Sequence, residues 1–456
     1  MGTVGLSFGS ATSGQGFDVA STVSAIQAIE QGIETPWKTQ LSNLQAQDTV
    51  FSSLGTDLSS LTTALQSLTD FSGAMAQKDG ASSDPSLLAL TGADSTATSG
   101  THTVIINSLA QNSSDYSGAV ASTDTLSGSI TIQVGSGTAQ TITVDSSSNT
   151  VSTLAAAINR ADIGVTASVI SDASGSRLSL VSGTNGAAGQ LTITSGLTDA
   201  TTTSSMSFTV GQTGKDASLS VDGISLTSAS NTVTNAIPGV TFQMLGSNVD
   251  EPIQVQITND TSTIASAFST FVSAYNKVWS DIATQEGNDA NGNPEPLYGS
   301  PVLASMQSAL SSALFSGSAS GGISNMEQLG ITVNTDGSLS LDTDTLQSVL
   351  NSNFSDVEGF LQNTGSFGQS FMTTLNGLGT QAPSGALYLA EQQNQTVESN
   401  LNQNISNEES ILATQKTQLT AELNSANQIL QGIPSQLNEI NEIYSAITGY
   451  NSQQNG

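Results

Sequence analysis

Apolar residues recur every seven positions at two places in the chain, one near each end. Within residues 41–68, and again within residues 405–447, two apolar lines run together in the a/d pattern of a coiled-coil seam. Such a seam exposes apolar surface unless another helix covers it. The seam positions that we expect to pack are Leu44, Phe51, Leu54, Leu58, Leu61, Leu65, Leu68, Leu419, Leu423, Leu430, Ile433, Leu437, Ile440 and Tyr444.

No matching seam follows the first one for a couple of hundred residues, so we expect the two ends to pair as an antiparallel stalk. A helix over residues 391–447 would run roughly 85 Å at about 1.5 Å per residue. Pro434 lies inside this helix and should kink or divide it. The core of an ordinary helical bundle would show the same heptads. The length of the second helix favours an assembly seam over that alternative.

Between the two seams the period of the apolar pattern changes to two, which is typical of β-strands. From about residue 81, β-branched and polar residues alternate in segments such as THTVIINSL (101–109). A short helix is predicted over 150–161, and Asp222-Gly223 suits a type I′ hairpin turn. The predicted fold class is α+β and multidomain. N- and C-terminal helices pair as a coiled-coil or helical-bundle stalk, with an inserted β-rich head of one or two domains.

The changes between helical and strand periods divide the chain into five parts. They are an N-terminal leg (1–40), a helical stalk domain with a β-hairpin (41–78 plus 262–414), a β-rich head domain (79–125 plus 200–261), a second head domain (126–199) and a C-terminal leg helix (415–456). Closing a loop of about 350 residues costs about 5 kcal/mol, whereas each buried Leu returns about 1.5–3 kcal/mol. The stalk seam can offset that cost, but the short segment before Pro36 cannot. We therefore expect the N-terminal leg to be largely disordered outside an assembly.

The charge balance and the absence of cysteine exclude several function classes. The chain has 7 Lys and Arg against 37 Asp and Glu, a net charge of −30, which repels nucleic-acid backbones and anionic lipids. With no cysteine there are no disulfides, thiolate metal sites or cysteine catalysis. The first twenty residues lack a basic n-region and an apolar h-region, so we expect no Sec signal peptide. No window is apolar for eighteen residues, so we expect no membrane insertion.

Candidate catalytic and metal-binding residues are few. His102 is the only histidine, and it stands in a predicted strand with no second histidine to complete a metal site or a triad. The loop after Asp289 starts like a calcium loop, but it has Pro294 where the turn glycine belongs and Ser300 where the bidentate Glu belongs. Asp342 is placed to cap a helix rather than to act as an acid or base. We therefore predict no catalytic residue, no metal site, no cofactor and no enzyme.

Five segments of the chain follow one another in a characteristic order. They are GQGFDVASTVSAIQAIEQGIETPWKTQL at the start, GTHTVIINSLAQNSS, SLSVDGISLTSASNTVTNAIPGVTFQML, the helix ending FVSAYNKV, and LGITVNTDGSLSLD followed by FSDVEGFL. The order of these motifs resembles the flagellar hook-associated protein 2 family, the bacterial flagellar filament cap proteins. The segment from 126 to 199 resembles the flagellin-type strand-helix-strand motif found in such heads. The sequence departs from that family in having few Lys or Arg in its terminal helices, where only Lys416 follows Lys277, and in having Phe17 where leucine is usual.

The resemblance implies a homo-oligomeric cap at the distal end of the flagellar filament. Such a cap promotes flagellin folding and polymerisation and prevents subunits from leaking away. Its partners would be further copies of the chain, flagellin, an export chaperone and the flagellar type III export apparatus. Its location would be extracellular, at the flagellum tip, after export without a cleaved signal peptide. A secondary role in adhesion would fall to the Thr- and Ser-rich head.

Three alternatives stay open from the sequence. Another axial flagellar component would share the terminal seams, but the Asp-Gly hairpin head followed by the Tyr275-Asn276 helix favours a cap. A secreted β-rich surface adhesin would bind calcium or glycans through the β region. A carbohydrate-active enzyme would need carboxylates clustered in the head, and the sequence does not reveal such a cluster.

Overall fold

A computed structural model of the chain describes residues 16–448, without the side chain of Asp250. The described residues form two compact units, one made of residues 16–66 and 268–448 and the other of Ser67–Ala267. The first unit is mainly helical and the second is mainly β-sheet. The predicted α+β multidomain class, with terminal helices and a β-rich middle, is confirmed. Residues 1–15 and 449–456, which belong to the two predicted legs, lie outside the described residues.

The secondary-structure elements follow the predicted order. The α-helices are α1 (Val19–Glu30), α2 (Glu34–Thr69), α3 (Val151–Arg160), α4 (Thr261–Gln285), α5 (Pro301–Ala313), α6 (Thr343–Ser352), α7 (Phe354–Gln362), α8 (Phe367–Leu378) and α9 (Ala386–Thr448). Short 3₁₀ turns lie at Gln31–Ile33, Ala74–Ala76, Ala187–Gly189 and Met326–Leu329. The strands are β1 (Lys78–Ser82), β2 (Leu88–Ala93), β3 (Gly100–Ser108), β4 (Ser114–Ser117), β5 (Leu126–Ser127), β6 (Ser129–Val134), β7 (Gln140–Thr143), β8 (Val165–Asp172), β9 (Gly175–Ser182), β10 (Leu191–Ser195), β11 (Thr198–Asp199), β12 (Phe208–Gln212), β13 (Ala217–Val221), β14 (Ile224–Ser228), β15 (Thr232–Thr234), β16 (Val240–Met244), β17 (Asn248–Asn259), β18 (Ile331–Val333) and β19 (Leu339–Leu341).

Two features of the terminal helices follow from local chemistry. Asp18 caps α1, because its carboxylate accepts a hydrogen bond from the Ser21 backbone N–H at 3.1 Å. The 3₁₀ turn then separates α1 from α2, and Pro36 lies in the first turn of α2, where a missing N–H leaves no bond unmade. At the other end α9 runs for 63 residues with Pro434 inside it. Of the two outcomes predicted at Pro434, a kink or a division, the division does not occur, because the turns on both sides continue the helix past the one lost hydrogen bond. The kink stays a prediction.

The helical unit has an aromatic core between α4 and α8. The rings of Phe271 and Phe371 meet edge to face with centroids 5.6 Å apart. One turn further along α4, Tyr275 stacks on Trp279 at 5.9 Å. Phe271, Tyr275 and Phe371 are fully buried, as the predicted apolar stripe of α4 requires. The short hairpin of β18 and β19 also belongs to this unit.

The β-rich unit contains two hydrophobic cores. The first core lies in a five-stranded antiparallel sheet, ordered β1-β17-β3-β13-β14, and a three-stranded sheet, β15-β16-β2. The predicted hairpin turns between β13 and β14, where Val221 pairs with Ile224. Asp222 and Gly223 both have positive φ, 50° and 82°, as a type I′ turn requires.

The second core joins α3 to a four-stranded sheet, β12-β4-β9-β8, and a three-stranded sheet, β10-β6-β7. The predicted helix at 150–161 is confirmed as α3, and Thr150 caps it in a capping box with Thr153. This core reaches from Val120 to Met206, wider than the predicted limits of 126–199. The reason is that β4 pairs with both β9 and β12, so strands on either side of those limits complete the sheet.

Among the described helices, none combines the length and apolarity that a membrane span requires.

Candidate functional site

The helices from the two ends of the chain lie side by side within the helical unit. The Phe17 backbone N–H donates to Asn427 Oδ1 at 2.9 Å. Ten residues further on, Gln27 Nε2 donates to the Leu412 carbonyl at 3.0 Å. Residue numbers rise along α1 as they fall along α9, so the two helices are antiparallel. We call α1 and the facing part of α9 the terminal helix pair.

A charged link follows the terminal helix pair where α2 begins. Lys38 Nζ lies 2.6 Å from Glu34 Oε2 and 3.2 Å from Glu409 Oε1, so one ammonium joins α2 to α9. The hydrogen bond to Glu34, and then the one to Glu409, raise the pKa of Lys38. Glu34 is buried, and its second carboxylate oxygen has no hydrogen-bond partner.

Further along, α2 meets α9 through polar groups. Asn394 Nδ2 donates to Asp48 Oδ1 at 2.7 Å, and Asn394 itself is buried. Burial, followed by repulsion from Asp48, raises the pKa of the Glu391 carboxyl. The same two causes raise the pKa of Glu398. Asp48 is therefore close enough to both glutamates to repel their carboxylates.

The first series of predicted seam residues lies in α2. Leu44 is half-buried, and the rest of the series is buried: Phe51, Leu54, Leu58, Leu61, Leu65 and Leu68. Leu58 lines a small cavity of about 100 Å³ together with Leu375 and Thr380, which places α2 against α8 and the residues after it. A groove between α2 and α4 is lined by Leu54 and Lys277. This series therefore packs within the helical unit, except Leu68, which belongs to the β-rich unit.

The second series of predicted seam residues lies in the distal half of α9. Leu419, Leu423, Leu430 and Ile433 are half-buried. Leu437, Ile440 and Tyr444 are exposed by 39%, 61% and 59%.

The structure does not bring the two series together. Asp48 of α2 lies beside Asn394, so the antiparallel register sets the leucines of α2 against the start of α9. The residues from 412 to 427 of α9 face α1 instead. Heptad spacing shows that a helix has a seam, but it does not show which partner covers it. An assembly role for the predicted seam residues stays a prediction.

The polar residues weighed as chemical sites have structural partners. Asp289 Oδ1 accepts from the Asn291 and Asn293 backbone N–H groups, both at 2.8 Å, so this carboxylate closes a turn. His102 Nδ1 lies 2.8 Å from Asp222 Oδ2 at the hairpin turn. Asp342 caps α6 through the Asp344 and Thr345 backbone N–H groups. Within residues 16–448, no three acidic or histidine side chains are grouped to hold a metal ion.

A second apolar line on α9 was missed in the sequence. Ile411, Ile429 and Ile443 are each at least half exposed and do not belong to the predicted seam. The signal was present in their spacing, because 411 and 429 are five helical turns apart at 3.6 residues per turn. A search for apolar residues seven positions apart does not detect an interval of 18 residues.

Two family models match this chain, one at each end. The model described as "Flagellar hook-associated protein 2 C-terminus" matches residues 214–447, more than half of the chain. The model described as "Flagellar hook-associated protein 2 N-terminus" matches residues 15–113. The chain belongs to the flagellar hook-associated protein 2 family. The resemblance inferred from the motifs is thereby confirmed.

Individual members of the hook-associated protein 2 family are distant relatives. The flagellar hook-associated protein 2 of Escherichia coli O157:H7 is 28% identical over 377 residues, covering 77% of this chain and 79% of the relative. The B-type flagellar hook-associated protein 2 of Pseudomonas aeruginosa is 27% identical over 296 residues. That match spans 59% of this chain and 62% of the Pseudomonas protein's own length.

A solved structure shares the fold. The flagellar cap protein FliD D1-D2-D3 domains from Escherichia coli superpose with a TM-score of 0.55 at 24% identity. The match covers 76% of this chain and 99% of the E. coli fragment. At this identity the likeness is one of fold alone.

Proposed function

We propose that this protein is a structural cap at the distal end of the bacterial flagellar filament, where it promotes flagellin folding and polymerisation and prevents subunit leakage. The observation that carries the proposal is membership of the hook-associated protein 2 family, with the two matching segments at opposite ends of the chain. A solved protein of the same fold is the flagellar cap protein of Escherichia coli. The role is one of packing and positioning, without an enzymatic step.

The distal half of α9 supports an assembly role. Leu437, Ile440 and Tyr444 lie within eight residues on one face of α9, and all three are exposed in the single chain. Fully burying such a side chain contributes about 1.5–3 kcal/mol. A helix that contacts further copies of the chain, or flagellin at the filament tip, would gain this energy only in the assembly. Association with a partner would therefore lower the free energy of the single chain.

The charges on α1, α2 and α9 limit the kinds of contact that these three helices can make. Lys38 and Lys416 are the only cations in α1, α2 and α9, and Lys38 already bridges two carboxylates. Contacts along these helices therefore depend on apolar burial rather than on ion pairs. Salt should not weaken them, because it screens the repulsion between carboxylates of neighbouring subunits.

The route to the filament tip belongs to the same proposal. We place the protein outside the cell, at the flagellum tip, after export through the flagellar type III apparatus with the help of an export chaperone. The net charge of −30 suits a chain that must stay soluble during and after export. A secondary adhesive role would use the β-rich unit.

A deletion strain tests the proposed function. Cells that lack this protein should release unpolymerised flagellin into the medium and carry short filaments or none. Adding the purified full-length chain to the medium should restore filament growth. The comparison variant is the chain with Leu437, Ile440 and Tyr444 each replaced by Ser. Because it lacks the exposed apolar residues of α9, adding it should leave the leakage of flagellin unchanged. Normal filaments on the deletion strain would refute the capping role.

A further inference from the structure

Two short segments connect the first core of the β-rich unit to the second core. They are residues 109–113, between β3 and β4, and residues 213–216, between β12 and β13. The two segments pair through one antiparallel bridge. In it the Gln111 N–H donates to the Lys215 carbonyl at 2.8 Å, and the Lys215 N–H donates to the Gln111 carbonyl at 3.0 Å. We call these two segments the connecting ribbon.

The connecting ribbon has the properties of a hinge. Among the described residues, the two cores have no buried apolar residue in common, so no shared core fixes the angle between them. Gln111 and Lys215 are exposed, and an exposed bridge with few apolar contacts is a place where a structure opens locally. Two strands paired by a single bridge have little stability of their own. The angle between the cores therefore depends on the other contacts at this joint.

The end of the ribbon next to β3 is fixed to the first core. Asn231, between β14 and β15, accepts from the Ala110 N–H at 2.7 Å through Oδ1. Its Nδ2 donates to the Ala110 carbonyl at 3.1 Å. Leu109 and Ala110 also pack against the first core. Any turning of the second core must therefore take place beyond Ala110.

The carboxylate of Asp216 crosses the joint. Asp216 directly precedes β13, whose first residue, Ala217, is buried in the first core. Its Oδ1 accepts from the Ala187 N–H at 2.7 Å. Ala187 begins the 3₁₀ turn before β10, a strand of the second core. A neutral bond lies beside it, because the Gly214 N–H donates to Gln190 Oε1 at 2.9 Å. A bond to a charged acceptor is the stronger of the two kinds.

Two glycines allow the cores to meet at this point. Gly186 has a φ of +74°, and a Cβ there would lie 2.3 Å from Asp216 Oδ1 and 2.9 Å from the Ala229 Cα. Ala229 follows β14 of the first core, whereas Gly186 belongs to the loop between β9 and β10 of the second. A Cβ on Gly214 would lie 2.6 Å from the Gly186 carbonyl oxygen. Any side chain at either glycine would therefore push the two backbones apart.

We propose that Asp216 is the latch of a hinge inside the β-rich unit. The connecting ribbon is the hinge, and the bond from the Ala187 N–H to Asp216 holds the second core at one angle to the first. With the latch closed the two cores move as one body, so that a surface of the second core is presented in a fixed direction. The inference concerns the β-rich unit alone and goes beyond the capping role, so that either can fail without the other.

The absence of cysteine makes the angle measurable in the full-length chain. Ser225→Cys in β14 and Ser168→Cys in β8 place one exposed thiol on each core. Spin labels on both thiols report the distance between the cores by pulsed electron paramagnetic resonance, and we expect one narrow distribution. Asp216→Ala should widen this distribution at least about twofold, because it removes the charge-assisted bond. Asp216→Asn keeps an acceptor oxygen and should leave the distribution narrow.

The matched control for the carboxylate is Asp145→Ala. Asp145 Oδ1 accepts from the Ser147 N–H at 2.8 Å, which is a bond of the same kind made within the second core alone. Its loss should leave the distance distribution unchanged. The latch is refuted if Asp216→Ala gives the same distribution as Asp145→Ala. It is also refuted if the labelled chain with Asp216 intact already shows a broad distribution.

A second variant tests the contact between the backbones. Gly186→Ala should shift the mean distance, because its Cβ acts as a wedge between the cores. Gly164→Ala is the control, since Gly164 has the same φ of +74° but no atom within 4 Å of its added Cβ. Amide hydrogen exchange of α3 and β9 shows whether the second core of each variant stays folded. If Asp216→Ala loses that protection, Gly186→Ala decides, and an unchanged mean distance would overturn the proposal.

Discussion

The side chain of Asn276 pairs with the main chain of Leu339 as a neighbouring strand would. Asn276 Nδ2 donates to the Leu339 carbonyl at 2.8 Å, and Asn276 Oδ1 accepts from the Leu339 backbone N–H at 2.7 Å. One turn further along α4, Trp279 Nε1 donates to the Asp336 carbonyl at 2.7 Å. The hairpin of β18 and β19 is therefore attached to α4 through its backbone. Gly337 is required at its turn, because φ is +86° and a Cβ would meet the Trp279 ring at 2.1 Å.

Replacing Asn276 with Ala should loosen that hairpin. Two backbone groups of Leu339 would lose their partners, which costs about 1–3 kcal/mol for each group left buried and unsatisfied. We expect faster amide hydrogen exchange in β18 and β19 and a lower midpoint of thermal unfolding. Asn402→Ala, at an exposed position of α9, is the control and should change neither. Equal effects of the two substitutions would show that the paired bonds contribute nothing to stability.

Tyr275 has a buried hydroxyl with no hydrogen-bond partner, so Tyr275→Phe should leave stability at pH 7 unchanged or raise it by about 1 kcal/mol. Burial raises the pKa of Tyr275 to about 12. Because this value lies above the unfolded value near 10, the stability that the neutral phenol contributes is present below pH 10 and is lost as the pH rises towards 12. Tyr275→Phe should flatten this alkaline loss in denaturant titrations. Tyr298→Phe, which alters an exposed tyrosine, should not.

Glu391→Gln should stabilise the helical unit at neutral pH. Burial and then the charge of Asp48 raise the pKa of Glu391, so folding favours its protonated form. The stability linked to this group is therefore present at acidic pH, below the unfolded pKa, and is lost as the pH rises through the higher folded value. We expect a higher unfolding temperature for the variant at pH 7 and a smaller difference at pH 4. Glu439→Gln on the exposed part of α9 is the control. An equal rise in its unfolding temperature would mean that the effect comes from the net charge alone.

Leu58→Glu combined with Leu61→Glu should abolish filament growth. Both leucines are buried in α2, and two unpaired carboxylates in that core should cost several kcal/mol. Hydrogen exchange of the full-length variant should lose protection in α2 and α8 while β6 to β9 keep theirs. Ser59→Glu with Ser60→Glu adds the same charge at exposed positions and should leave motility normal. Normal motility of the leucine variant would remove the basis for a role of this helix in capping.

The assembly contacts should tolerate salt. The terminal helices carry two lysines and many carboxylates, so raising the salt concentration screens repulsion and leaves apolar burial intact. Self-association of the purified chain should be as tight at 0.5 M NaCl as at 0.05 M, or tighter. Dissociation by salt would mean that ion pairs hold the copies together. In that case Lys416→Gln, which removes one cation, should weaken self-association at low salt as well.

Local patterns of apolar and turn residues predicted the elements and their order. Heptads predicted α2 and α9, the two-residue period predicted the strands, and Asp222-Gly223 predicted its turn, because each depends on neighbours only a few residues away. The proline signal did not decide between a kink and a division at Pro434, where the helix continues because the flanking turns outweigh one lost hydrogen bond. Local signals also could not show Asn276 pairing with Leu339, since 63 residues separate the two.

The sequence by itself determined that two long helices with apolar seams flank a β-rich middle, and that the chain belongs to the flagellar hook-associated protein 2 family. Only the tertiary structure decided which helix covers which seam. It placed the leucines of α2 against α4, α8 and the start of α9, turned the later leucines of α9 towards α1, and left a line of isoleucines uncovered. The periodicity of a helix fixes which of its faces is apolar. The neighbour that buries that face is chosen by the antiparallel register and by packing between residues hundreds of positions apart.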